Sequence, residues 1–160
     1  MRAALVERAT EPTSHRIKLQ LWAHLAEGEA ESYMAHLSLK RGLKIADPSS
    51  VIARLGDEWS QHCLARKRYL IWAATKDVAA SQVGAENHEL DLADEIRLRG
   101  EWLASRLGSG RVNKSEYCFI PESLLRTPTL LKTMQEHILP LGEKYWTEVP
   151  ADYFARNFSV

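Results

Sequence analysis

The chain of 160 residues carries 21 basic and 21 acidic side chains, with 26% of its residues charged. That length suits one domain able to bury a core without disulfides or metal, and the zero net charge argues against a dedicated phosphate-binding surface. Cys63 and Cys118 stand far apart in no ligand-like spacing, which fits a reducing compartment.

The apolar run Ala3 to Val6 is followed at once by Glu7 and Arg8, too short and too charged for a secretory signal. No window approaches the roughly 18 apolar residues that a membrane span needs. The expectation is a cytoplasmic chain with no membrane partner. Residues 1–13 read as a flexible N-terminal segment and 14–160 as a single helical domain, with Thr13 or Ser14 capping the first helix.

From Ser14 to Leu43, Ile17, Leu21, Leu25, Ala30, Tyr33 and Leu37 recur at helical spacing, with Trp22, Ala26 and Met34 beside them. Gly28 is a candidate bend or break, and Arg41-Gly42 a stop, because glycine accepts the left-handed conformation at a helix end. Ile17 to Leu21 also alternates, so residues 17–21 have a strand reading, as in a DNA-binding ribbon-helix-helix arm. Only Lys18 and Gln20 would then face a groove, and the helical reading is preferred.

Asp47-Pro48-Ser49-Ser50 is a strong helix start, since the carboxylate accepts bonds from orphan N–H groups and proline fits the first turn. Ile52, Leu55, Trp59, Cys63, Leu70, Ala74 and Val78 then form an apolar stripe, and no proline follows until Pro121. The spacing predicts one long central helix over Asp47–Gln82, about 50 Å from end to end. Val83-Gly84 marks a turn. The next helix begins near Glu86 or Asn87 and ends at Leu107, with Leu92, Ile96, Leu103 and Leu107 on its apolar face. Its acids cluster at the start and its arginines at the end, which complements the helix dipole. Residues 61–82 carry Arg66, Lys67, Arg68 and Lys76 against Asp77, whereas residues 83–107 carry mainly acids. The simplest account is an antiparallel hairpin in which those cations face those acids.

Tyr117-Cys118-Phe119-Ile120 reads as a short extended segment near 116–120, and Pro121 to Arg126 as a helical turn. Thr127-Pro128 repeats the start signal for a helix through Leu131, Met134, Ile138 and Leu141, kinked at Pro140. Tyr145, Trp146, Tyr153, Phe154 and Phe158 point to a C-terminal segment docked by aromatic anchors. The fold expected is all-α, an irregular bundle of four to five main helices around the central one.

Three functional classes compete. The five tryptophans and five tyrosines exceed what one small core needs, and aromatics beside cations are the residue types of interface hot spots. The leading reading is a non-enzymatic accessory, regulatory or inhibitor protein that binds another protein or a second copy of itself. Its candidate surface anchors are Trp22, Tyr33, Arg66, Arg68, Tyr69 and Trp146. The second is nucleic-acid binding through Arg66, Lys67, Arg68 and Lys76, with Arg41 and Lys44 in support. The third is a metal-dependent bundle enzyme, which needs His24/Glu27, Glu58/His62 and His88/Asp91/Glu95 to converge. The paired Glu-x-x-His motif of di-iron bundles is absent, and neither a nucleophile elbow nor a phosphate loop is present. No catalytic residue or cofactor is assigned.

Overall fold

A computed structural model describes residues 14–110, 117–119, 141 and 144–157. Helix α1 spans Ser14–Lys40, α2 Pro48–Ala53, α3 Leu64–Ser81, α4 Glu89–Gly108, α5 Lys144–Thr147 and α6 Pro150–Asn157, with a 3-10 helix at Gly56–Gln61. No strand occurs among the described residues. The fold is an all-α irregular bundle in which α3 packs on both α1 and α4.

Helix α1 runs unbroken through Gly28, so neither the expected break nor the strand over 17–21 is found. A glycine inside a helix costs about 1 kcal/mol relative to alanine. Burial on either side of it outweighs that: Trp22, Ala26, Ala30, Met34 and Leu37 all lie in the core. The small Ala26 and Ala30 sit at the centre of that stripe, while Leu21, Leu25 and Tyr33 flank it half-buried. At its end the Leu43 N–H donates to Ser38 O at 2.8 Å and the Gly42 N–H to Leu39 O at 3.3 Å. Gly42 has φ +71°. This is the Schellman arrangement, and it satisfies carbonyls that the helix end leaves open.

The single helix expected over Asp47–Gln82 is three elements. Asp47 caps α2 as foreseen, its Oδ1 accepting from the Ser49 N–H at 3.0 Å, with Pro48 in the first turn. The helix stops after one and a half turns. Gly56 takes φ +70°, the chain tightens into the 3-10 helix, and His62 is extended at φ −94°, ψ 139° before Cys63 opens α3. Leu55, Trp59, Cys63, Leu70, Ala74 and Val78 are nevertheless all buried. The stripe therefore reported which side chains go inside, without reporting that the backbone turns between them.

His88 fixes the next junction. Its Nδ1 accepts from the Lys44 N–H at 2.8 Å, which places the ring proton on Nε2, the atom 2.9 Å from Gln82 O. The His88 N–H also donates to Lys44 O at 3.1 Å. One buried ring thus ties the α1–α2 connection to the α3–α4 connection. At the far end of the α3–α4 pair, Gly100 permits close approach: a Cβ there would lie 3.3 Å from His62 Nε2 and 4.0 Å from Leu70 Cδ1. The two helices are antiparallel, but their ion pairing reverses the expectation. Among the described residues, Asp77 of α3 pairs with Arg99 of α4, whose Nε also lies 3.3 Å from Glu95.

The C-terminal helices dock through aromatic rings, as the residue pattern suggested. Tyr145, Trp146 and Phe154 are buried, and Trp22 sits among Tyr145, Tyr153 and Phe154 at ring-centroid distances of 6.5, 5.4 and 6.3 Å. The readings of 1–13, of 121–126, of the helix from Thr127 with its Pro140 kink and of Phe158 lie outside the described residues, apart from Leu141, which is buried. Of the segment read as extended near 116–120, Tyr117–Phe119 is described and is non-helical. It is held to α3 by the Phe119 N–H, which donates to Ala65 O at 3.0 Å.

Candidate functional site: a cation-flanked aromatic ribbon

On α3, Tyr69, Trp72 and Lys76 follow at spacings of three and four and so share one helical face. Trp102 and Arg106 do the same on α4. Tyr117 and Phe119 lie between the two helices and join their rings. Tyr117 meets Trp102 edge-on at 5.8 Å and Tyr69 at 5.0 Å. Phe119 meets Tyr69 at 5.5 Å and Trp72 at 5.3 Å, both edge-on, and Tyr69 lies 6.4 Å from Trp72. These distances and tilts are the favoured ones for aromatic pairs, worth about 0.5–1.5 kcal/mol each beyond the area buried. Tyr117 holds φ +59°, a costly backbone for a bulky side chain, and its two ring contacts oppose that cost.

Cations close both ends. At one end Lys76 Nζ lies 5.3 Å and the Arg41 guanidinium 5.5 Å from the Trp72 ring, while Arg41 Nη1 donates to Trp72 O at 2.6 Å. At the other the Arg106 guanidinium lies 4.9 Å from the Trp102 ring. The ribbon is open to solvent. Trp102 is 42% exposed, Lys76 is exposed, and Tyr69, Trp72, Arg41, Arg106, Tyr117 and Phe119 are half-buried. Leu98, one turn before Trp102 on α4, is 60% exposed and extends the apolar strip.

The residues expected as anchors divide between this surface and the core. Tyr69 and Lys76 belong to the ribbon. Trp22 at 0% and Trp146 at 4% exposure are core residues, which corrects their placement on the surface. They lie in the buried α1 stripe and the C-terminal docking segment, where rings from several elements close around them. Lys67 is likewise buried. Its Nζ lies 3.4 Å from Glu27 Oε2 and 5.0 Å from the Trp59 ring, and Glu27 Oε1 accepts from Trp59 Nε1 at 3.0 Å. Burial holds the Lys67 ammonium below the usual lysine range, opposed by the Glu27 carboxylate. Arg68 lies 4.3 Å from the Tyr33 ring and 5.7 Å from the Trp146 ring. Burial raises Tyr33 and Glu29 above their ordinary values, and the charge of Arg68 opposes both. Arg66 Nη2 is 3.9 Å from Cys118 Sγ.

Lys67, Arg68 and Lys76 thus meet Glu27, aromatic rings of α1 and the C-terminal segment, and Trp72, in place of the acids of α4 that the charge pattern had paired with them. The residues the pattern did not assign to a site are Trp72, Phe119 and Tyr117, together with Trp102 and Arg106. The signal was partly there, in the 69–72–76 spacing and the 102–106 pair. What it lacked was the Tyr117–Phe119 bridge.

The metal reading is corrected. Among the described residues, no group of three His, Cys, Asp or Glu side chains is placed to hold an ion. Glu27 is committed to Trp59 and Lys67, His88 to two backbone groups, and Glu95 to Arg99. His62 lies against Gly100 and meets the Trp59 ring edge-on at 6.4 Å. Its pKa is lowered to about 4, first by burial and then by the charges of Arg66 and Lys67. Among the described residues no helix is long and apolar enough to cross a membrane. No family model, curated protein or solved structure matches the chain.

Proposed function

We propose that this chain is a non-enzymatic binding protein, of the accessory, regulatory or inhibitor kind, that takes a segment of another protein along the cation-flanked aromatic ribbon. The observation that carries this reading is the ribbon itself: a line of touching rings on the surface with a guanidinium or ammonium at each end. Rings and the neighbouring Leu98 offer apolar area at low entropic cost, and Arg41, Lys76 and Arg106 offer charge to carboxylates. The chemistry matched is an apolar or aromatic segment flanked by acidic residues.

The nucleic-acid alternative gains less from the same geometry. Lys67 is buried on Glu27 and Arg68 is stacked on Tyr33, while both cations at Trp72 cover the ring that a base would need to stack on. A peptide-display library tests the choice. Wild-type protein should enrich acidic–apolar sequences that a Trp102→Ala/Arg106→Ala variant no longer retains, with helix content unchanged. Equal enrichment by the variant removes the ribbon from the function. Tight, steeply salt-dependent binding of an oligo-dT strand, without peptide enrichment, would favour the nucleic-acid reading. A concentration-dependent dimer in light scattering that the double variant abolishes would make the partner a second copy.

A further inference from the structure

Two thiols from distant parts of the chain meet beside α3. Cys63 is its N-cap residue and is buried; Cys118, in the Tyr117–Phe119 bridge, is half-buried. The hydrogen bond from the Phe119 N–H to Ala65 O at 3.0 Å pins the bridge against the first turn of α3. That bond sets Cys118, the chain neighbour of Phe119, beside the turn that Cys63 opens, and Arg66 Nη2 of the same turn stands 3.9 Å from Cys118 Sγ. We propose that Cys118 is a peroxide-reactive thiol and Cys63 its resolving partner, so that one equivalent of hydrogen peroxide converts the pair into an intramolecular disulfide.

The asymmetry of the site assigns the roles. The neighbouring Cys63 thiol and the Arg66 guanidinium, 3.9 Å from Cys118 Sγ, hold Cys118 below the usual thiol range and favour its thiolate, while burial opposes them. Cys63 is pushed the other way, by its neighbour Cys118 and by burial at 8% exposure, and keeps its proton. The thiolate is the nucleophile, so Cys118, which is also the more exposed sulfur, reacts first. Its Sγ attacks one peroxide oxygen, an S–O bond forms, the O–O bond breaks, and the departing hydroxide takes a solvent proton to give water. The sulfur is oxidised by two electrons and the peroxide reduced. Cys63 Sγ then attacks Cys118 Sγ, the S–S bond forms, the S–O bond breaks, and hydroxide leaves with the Cys63 proton as a second water. The thiol chemistry needs no ligand on the ribbon and stands apart from the function proposed above.

Intact-mass measurement with N-ethylmaleimide trapping tests it. Trapped in denaturant before oxidation, the protein should accept two maleimides. After one equivalent of peroxide it should accept none and be lighter by two hydrogens. Cys63→Ser should leave a sulfenic acid on Cys118 that dimedone labels, and Cys118→Ser should leave Cys63 unlabelled. In the unaltered protein at neutral pH, iodoacetamide should alkylate Cys118 roughly tenfold faster than Cys63, a readout that needs no variant to fold. Two maleimides still accepted after oxidation, a disulfide between two chains, dimedone on Cys63, or equal alkylation rates would each overturn the assignment.

Discussion

Replacing His88 by alanine removes an acceptor for the Lys44 N–H and the donor to Gln82 O, while the backbone bond from the His88 N–H to Lys44 O remains. Both lost bonds are part-buried, so water reaches the abandoned groups incompletely and each loss costs about 1 kcal/mol. The ring is 4% exposed, and losing its packing adds about 1 kcal/mol more. The sum is about 3 kcal/mol, which for a chain of this size lowers the melting temperature by about 6–12 °C. Thermal and urea unfolding followed by far-ultraviolet circular dichroism reads it directly. His88→Asn keeps an acceptor near the position of Nδ1, and His88→Gln keeps a donor near that of Nε2, so each should recover part of the loss. If alanine costs under about 0.5 kcal/mol, or if asparagine and glutamine fare no better than alanine, the ring does not act as the clamp described.

Four further outcomes follow from other sites. His62, held at about 4 in the fold against 6.5 unfolded, stays neutral in the folded protein while the unfolded chain takes up a proton. Stability is therefore full above the unfolded value and falls as pH drops from 6.5 toward 4; fully realised the loss is about 3 kcal/mol, and solvent screening brings it to about 1–2. The part of the pH slope between those values should vanish in His62→Asn. Gly28→Ala, with open space around a new Cβ inside a continuous helix, should stabilise by about 0.5–1 kcal/mol, whereas Gly56→Ala, forced to φ +70°, should destabilise by about 1 kcal/mol. The same sign for both would contradict the two backbone assignments. The Tyr145 hydroxyl is buried with no hydrogen-bond partner among the described residues, so Tyr145→Phe should be neutral or stabilising, and a loss above about 1 kcal/mol would reveal a partner. Trp22→Ala should cost about 3–5 kcal/mol and Trp102→Ala about 1–2 in equilibrium unfolding; the reverse order would exchange core and surface.

What was legible in the residues was mostly local. The Asp47 cap, the Arg41-Gly42 stop and the acidic start of α4 each rest on chemistry within four or five residues, and each is found. The apolar stripe from Ile52 to Val78 marked which side chains are sequestered but carried no information on continuity. Gly56 follows the last turn of α2, and its φ of +70° is not visible in the apolar spacing. Gly28 shows the converse, a breaker overruled by the packing of Trp22, Ala26, Ala30 and Met34. Trp22 and Trp102 look alike in sequence, each at the edge of its stripe. Only the C-terminal rings that close over Trp22 separate core from surface. The destination of Lys67 was likewise non-local, since Glu27 is forty residues away. The ribbon depends on Tyr117 and Phe119, in a short segment read as extended, whose ring partners on α3 and α4 lie far away in the chain.

Site-specific photo-crosslinking in cells tests the ribbon as a binding surface most directly. A crosslinking side chain at exposed Leu98, beside Trp102, should capture a discrete protein species, and the same group at exposed Ser50 on α2 should not. The Leu98 product should disappear when Arg106 and Trp102 are replaced by alanine in a chain that still folds. No product from Leu98, or the same products from both positions, would contradict a partner seated on the ribbon.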